Sequence, residues 1–339
     1  MSGIWISRME LITTTSEIVG YKSGLALTRE ELTRFVPDDI SSYWDGQDED
    51  TIRIRSEEFE HLIATVLYGV GNIPSPSIAP PGIALFHKYN NKKNVYKIFE
   101  DILKIFPEHM RQGMEKAMES GKKSIDPTPF IEEAHKRHGI QGAKIALELL
   151  QDVALATHRS PWSSIRRIEW IDTAQLEDLF KSESLSTYYG SFIDQRYIDY
   201  LSSNFKDIDN INWRKFEGLT CEYFKRLGYY VEIGEGRDDG NIDARLWPKQ
   251  EDSKSAPTVI VQCKRQKQKV GKVVVKALWA DIINENAKTG LIVTTNSLSP
   301  GAVKVCTARG YPIDQAKREH LRTWIQMMRT PKKGIFLGQ

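Results

Sequence analysis

The spacing of apolar residues changes character near residue 205 and divides the chain into segments 1–204 and 205–339. In the first segment, β-branched stretches predict strands around 4–14 and 18–27, with Gly20-Tyr21-Lys22-Ser23-Gly24 as a turn. From Ser56, Phe59, Leu62, Ile63, Val66 and Leu67 recur at helical spacing, behind acidic residues in the first turn. Four prolines make 73–82 a loop. Helices then dominate 95–158, one of them opened by Asp126-Pro127-Thr128-Pro129. A strand at 167–171 and helices at 173–181 and 193–204 complete a mainly helical N-terminal domain. After a polar link at 207–212, the pattern predicts a helix at 213–227 with Phe216, Leu219, Tyr223, Phe224 and Leu227 on one stripe. Gly228 stops it. Strands follow at 229–233, 242–246 and 259–264, then a helix at 270–286, a strand at 290–295, a helix at 300–308, a strand near 311–313 and a helix at 315–328. That order gives an α/β (α+β) core, a mixed sheet flanked by helices. No repeat of 20–50 residues is present.

Composition narrows the function classes. With 339 residues, 40% hydrophobic and 27% charged, the chain reads as globular, large enough for two cores. No apolar run approaches the roughly 18–20 residues of a bilayer span, and no leader pattern is visible, so no membrane role and a cytoplasmic location are expected. Three scattered cysteines, Cys221, Cys263 and Cys306, do not make a disulfide framework or a zinc knuckle. The net charge of +2 is unevenly spread: residues 1–204 hold 23 Lys/Arg against 30 Asp/Glu (−7), and residues 205–339 hold 24 against 15 (+9). A basic C-terminal segment suits a polyanionic partner.

The chemistry concentrates in a turn, Asp238-Asp239-Gly240-Asn241-Ile242-Asp243, and a strand, Val259-Ile260-Val261-Gln262-Cys263-Lys264. Strand alternation puts Ile260, Gln262 and Lys264 on one face and Val259, Val261 and Cys263 on the other. Polar Gln262 and Lys264 at the end of an apolar strand have little structural reason to be there, apart from protecting a sheet edge. A carboxylate, a second oxygen donor and a lysine are the parts that metal-assisted phosphodiester hydrolysis requires.

These segments resemble the Mrr-like branch of the PD-(D/E)xK nuclease superfamily over about residues 213–325. The residues that carry the resemblance are Phe216-Glu217, Leu227-Gly228-Tyr229, Asp239-Gly240-Asn241-Ile242-Asp243, Gln262-Cys263-Lys264, Val293-Thr294-Thr295-Asn296 and Ser299-Pro300-Gly301-Ala302. Asn241 departs from the more usual Gly, and Gln262 replaces the acidic residue of the wider superfamily, as the Mrr branch commonly does. The resemblance implies a restriction-endonuclease-like fold and a Mg²⁺ (or Mn²⁺) site. In it, Asp243 is the main ligand, Gln262 and the Cys263 carbonyl supply further oxygens, and Glu217 is an auxiliary carboxylate. Lys264 stabilises charge on the phosphate or orients the attacking water. It also implies an endonuclease of double-stranded DNA in restriction or anti-phage defence, leaving 5′-phosphate and 3′-hydroxyl ends, with a homodimer or larger assembly to cut both strands. An RNase, a repair nuclease or an inert binding module are the other readings of the same scaffold.

The basic run Arg265, Lys267, Lys269, Lys272 and Lys276 directly behind Lys264 fits phosphate contacts. Residues 1–204 match no nameable family and are assigned a recognition, regulatory or partner-docking role. Weaker motifs have simpler explanations. Gly121-Lys122-Lys123-Ser124 lacks the required upstream Gly and strand of a phosphate loop, and Gly234-Glu235-Gly236 lacks a following helix. His135 with His138 lacks a second ligand pair, and Phe59-Glu60-His61-Leu62 echoes the 216–219 helix without the acidic turn. Asp239 is expected to shape its own turn, Glu222 to be a solvated helix residue, and Cys263 to be a core thiol.

Overall fold

A computed structural model describes residues 3–122, 124–236 and 242–329. The acidic turn at 238–241, including Asp239, lies outside them, as does Lys123 of the phosphate-loop-like tract.

The chain begins with β1 (Gly3–Ser7), α1 (Arg8–Ser23), β2 (Leu25–Ala26), α2 (Arg29–Thr33), β3 (Thr51–Arg55) and α3 (Ser56–Gly69). The strands expected at 4–14 and 18–27 are largely replaced by α1. The Ser7 hydroxyl accepts from the Glu10 amide while the Glu10 carboxylate accepts from the Ser7 amide, a reciprocal cap that starts a helix there. Gly24 closes it at φ 71°, a left-handed position suited to glycine. Leu11, Thr15 and Val19 are buried at four-residue spacing, and the Thr15 hydroxyl donates back to the Leu11 carbonyl, so a β-branched run is absorbed into a helix.

Next come α4 (Ile83–Tyr89), α5 (Lys93–Glu119), α6 (Thr128–Arg159), β4 (Ala174–Gln175), α7 (Asp178–Lys181) and α8 (Gln195–Ser203). No strand forms at 167–171, where Ile171 is exposed, and the helix expected at 173–181 is reduced to α7 behind β4. The C-terminal region comprises α9 (Trp213–Arg226), β5 (Tyr230–Ile233), β6 (Ala244–Trp247), β7 (Val259–Lys264), α10 (Lys272–Asn284), β8 (Thr289–Thr294), α11 (Pro300–Arg309), β9 (Ile313–Ala316) and α12 (Arg318–Met328), each within a few residues of its expected place.

Contacts divide the chain into two compact units. One holds 1–5, 53–64 and 76–169; the other holds 6–52, 65–75 and 170–339. The expected boundary at 204/205 therefore does not coincide with the division by contacts, because 6–52 and 170–204 fall in the same unit as the large sheet. The first unit is helical, with a core of Leu85, Tyr89, Phe99, Ile102, Phe130 and Leu149 among others. Its longest helix, α6, is interrupted at Gly139, whose φ is 59°.

In the second unit the sheet order is β5-β6-β7-β8-β9. β5/β6 and β6/β7 are antiparallel, whereas β7/β8 and β8/β9 are parallel. One face packs Ile242, Ile260 and Ile292 against Val275, Leu278 and Ile282 of α10 and Ala302 of α11. Helix α9 contacts β5, β6 and β7. The apolar burial on both faces explains why β7 reads as a nearly continuous hydrophobic run. Among the described residues, no helix is long and apolar enough to cross a membrane.

Candidate metal and nucleic-acid site

Helix α9 sets the first functional side chain. Asn212 caps it by accepting the Arg214 amide at 2.8 Å, and Phe216, Leu219 and Cys221 anchor it as buried residues. Gly218 permits a close approach: a Cβ there would lie 2.5 Å from the Phe192 carbonyl oxygen. The helix thereby holds Glu217 within the protein, 6% exposed.

Asp243 enters from the start of β6 and is also buried. Its amide donates to the Val261 carbonyl and its carbonyl accepts from Gly234, both at 2.9 Å, so neighbouring strands fix its backbone on two sides. Its Oδ2 accepts the Cys263 amide at 2.5 Å, which ties the carboxylate to β7. Gln262 and Cys263 are buried and Lys264 is half-buried at the end of that strand. The Cys263 thiol lies 3.5 Å from the Thr220 hydroxyl of α9, as expected of a core thiol, and burial pushes its pKa well up. The Lys264 carbonyl is fixed by the Thr294 hydroxyl at 2.8 Å.

The electrostatics set this cluster apart from an ordinary core. Burial raises the Glu217 pKa well above the usual carboxylate range, and the neighbouring Asp243 charge raises it further. Arg214 opposes the shift through an ion pair at 2.8 Å to Glu217 Oε2. The Gln262 side-chain oxygen is buried without a hydrogen-bond partner among the described residues. An unpaired buried amide oxygen costs about 1–3 kcal/mol, so its presence here calls for a reason. Two repelling carboxylates and an unpartnered amide oxygen are hard donors in a dry setting, and they fit a divalent cation such as Mg²⁺ or Mn²⁺. Among the described residues no three His, Cys, Asp or Glu side chains gather to hold a metal.

The expected nucleic-acid contacts divide. Lys267, Lys269, Lys272 and Lys276 are exposed. Arg265 instead turns inward, donating to the Asp209 carbonyl at 2.8 Å. Just beyond Lys264 lies a polar cleft of about 560 Å³, whose lining includes Lys267, Asn296, Lys317 and Arg318. Asn296 braces its wall by donating to the Lys267 carbonyl at 2.7 Å.

One further sequence expectation resolves differently. Glu222 is not solvated: it is buried, accepting the Ser191 and Phe192 amides at 2.8 and 2.9 Å and pairing with Arg226. It pins the preceding loop to α9. His138 pairs with Asp101 at 2.8 Å and His135 is exposed, so the two histidines do not form a shared site. Arg214 was not singled out by sequence, although its three-residue spacing from Glu217 on a helix was the available signal.

Comparison with known proteins gives a family match in the C-terminal region. Residues 208–325 match the Mrr_cat family, described as restriction endonuclease. An uncharacterized protein of Sinorhizobium fredii, y4cE, is 25% identical over 130 residues, covering 38% of this chain and 33% of that protein. The chain thus spans a third of the length of this relative. Among solved structures, the MspJI restriction endonuclease in complex with a 27-mer oligonucleotide aligns at 17% identity, with 58% of this chain and 40% of that chain covered and a TM-score of 0.27.

Proposed function

We propose that the chain is a divalent-cation-dependent endonuclease that hydrolyses DNA phosphodiester bonds, with its site formed by Glu217, Asp243, Gln262 and Lys264. The observations that support this reading are the buried Gln262 oxygen, without a hydrogen-bond partner among the described residues, and the buried Glu217, whose proton affinity is raised by burial and by neighbouring Asp243. DNA as substrate rests on the restriction-endonuclease description of the family matched by residues 208–325.

Asp243, the Gln262 side-chain oxygen and the Cys263 carbonyl would hold Mg²⁺ or Mn²⁺, with Glu217 reaching it through water. Once bound, the cation supplies Lewis-acid polarisation of the phosphate and a more acidic water. Lys264 then faces the reacting phosphate and stabilises the charge that builds on it. Lys267, Lys269, Lys272 and Lys276 position the backbone without reading sequence. Segment 1–204 serves recognition, gating or docking of a protein partner, and a homodimer supplies the second site needed to cut both strands. Defence against foreign DNA is the role that fits such an enzyme.

The test is incubation of the purified protein with plasmid DNA, single-stranded DNA and RNA, in Mg²⁺ or EDTA. Metal-dependent cutting of DNA, lost in Asp243→Ala and Lys264→Ala, is the expected result. Cutting that persists in both variants refutes the site, and cutting of RNA alone refutes the substrate.

A further inference from the structure

Arg214 occupies a position that the catalytic set does not account for. Its guanidinium donates to Glu217 Oε2 at 2.8 Å and, through the other nitrogen, to the Gly234 carbonyl at 2.7 Å. Gly234 in turn donates to the Asp243 carbonyl, and Asp243 accepts from Cys263. A single path of hydrogen bonds therefore runs from Glu217 through Arg214, Gly234 and Asp243 to β7. The chain also makes room for this arginine. Gly236 lies at φ 95°, and a Cβ there would meet Arg214 Nη1 and the Trp213 ring at 3.1 Å each. Arg214 and Glu217 side chains are only 14% and 8% exposed, so water screens their pairing weakly.

We propose that Arg214 is a positioning residue that takes up one oxygen of Glu217 and cancels part of the local negative charge, so that Glu217 presents a single oxygen to a cation. This rests on the site reading above. A guanidinium held beside the donors has two consequences. It fixes the direction of Glu217, because a planar fork bound at both ends has little freedom. It also weakens the hold on any cation, since a positive charge lies next to the ligands. A site tuned in this way binds a small, hydrated cation in one geometry, and a fixed geometry is what in-line attack on a phosphate requires.

A merely structural arginine predicts the opposite pattern, and the two can be separated. Mn²⁺ binding is measured by calorimetry on the full chain for the wild type, Arg214→Gln, Arg214→Lys and Asp243→Asn, with plasmid cleavage in parallel. Gln keeps a hydrogen-bond donor and removes the charge; Lys keeps the charge and removes the fork. The proposal expects Arg214→Gln to bind Mn²⁺ at least threefold more tightly while cleaving at least tenfold more slowly, and Arg214→Lys to return the affinity towards the wild-type value. Weaker or unchanged Mn²⁺ binding in a natively folded Arg214→Gln overturns it, as does unchanged cleavage. If Arg214→Gln does not fold, Arg214→Lys decides: affinity that falls in step with activity overturns the proposal. Absence of Mn²⁺ binding in the wild type, or binding that survives in Asp243→Asn, is instead a failure of the site reading. Binding without cleavage by the wild type leaves the affinity comparison to decide the role of Arg214.

Discussion

Replacing Asp243 by Asn asks whether its carboxylate serves chemistry or folding. Asn is isosteric and retains an oxygen for the Cys263 amide, which Asp243 accepts at 2.5 Å. What is removed is the charge. In metal-free protein that charge lies beside buried Glu217 and, after burial itself, is the main cause of the raised Glu217 pKa. Two unit charges ~5 Å apart at an effective dielectric of ~20 repel by about 3 kcal/mol. Glu217 sheds part of this by taking up a proton and Arg214 offsets another part, so the expected net stabilisation is roughly 1 kcal/mol. That is a rise in thermal midpoint of about 2–4 °C. The sign of the pH dependence follows from linkage. A carboxyl whose pKa is higher in the folded than in the unfolded state binds more protons when folded, so its contribution to stability falls as pH rises above 4.5. The advantage of Asp243→Asn is therefore largest at pH 8 and shrinks towards pH 5, where Glu217 is protonated in the wild type. Circular-dichroism melts in EDTA at pH 5, 6.5 and 8, with plasmid cleavage in Mg²⁺, measure both quantities. Loss of cleavage with an unchanged or raised midpoint is expected. A midpoint lower by more than about 4 °C at pH 8 refutes the reasoning and makes Asp243 a structural turn carboxylate.

Two other perturbations probe the scaffold and the surface. Gly218→Ala places a methyl group against the Phe192 carbonyl oxygen at 2.5 Å, and should cost about 1–3 kcal/mol, read as a lower midpoint in thermal melts. A stability equal to wild type would show that α9 does not depend on this close approach. Lys267→Ala and Lys269→Ala should each weaken DNA binding and reduce the slope of log affinity against log salt by about 1, measured by anisotropy in EDTA. An unchanged slope would remove that lysine from the phosphate contacts.

The elements around the site were legible because each carried two agreeing signals. The apolar stripe of 213–227 ends at Gly228, and β7 combines a β-branched run with a polar end. The N-terminal strands were misread because Ile12-Thr13-Thr14-Thr15 has strand composition, whereas a reciprocal cap and a four-residue burial period decided for α1. Glu222 shows a different limit. Its type and helical position suggest solvent, and only the return of residues 191–192 over α9 buries it as an acceptor for two main-chain amides. The residues of the candidate site were recoverable one at a time. Their mutual electrostatics were not, because the repulsion between Glu217 and Asp243 and the bridging by Arg214 exist only when α9 and β6 meet. The compact units were hidden for a similar reason: segments 6–52 and 170–204 share a unit with the sheet across long stretches of sequence.

The residues assigned to the cluster lie in one uninterrupted run from Arg214 to Lys264, carried by α9, β5, β6 and β7, which are consecutive in the chain and adjacent in space. The stretch carries the proposed site, while residues outside it hold it in place: the Phe192 carbonyl abuts Gly218 of α9, and the Thr294 hydroxyl fixes the Lys264 carbonyl at the end of β7. The contacts that join the stretch span from 20 residues (Arg214–Gly234 and Asp243–Cys263) to 43 (Thr220–Cys263), smaller loops than those that bring 6–52 to the same unit, and smaller loops cost less closure entropy. The same locality places the amides of Asp243 and Cys263 among those expected to gain hydrogen-exchange protection early in refolding, ahead of the contacts that bring 6–52 to the unit.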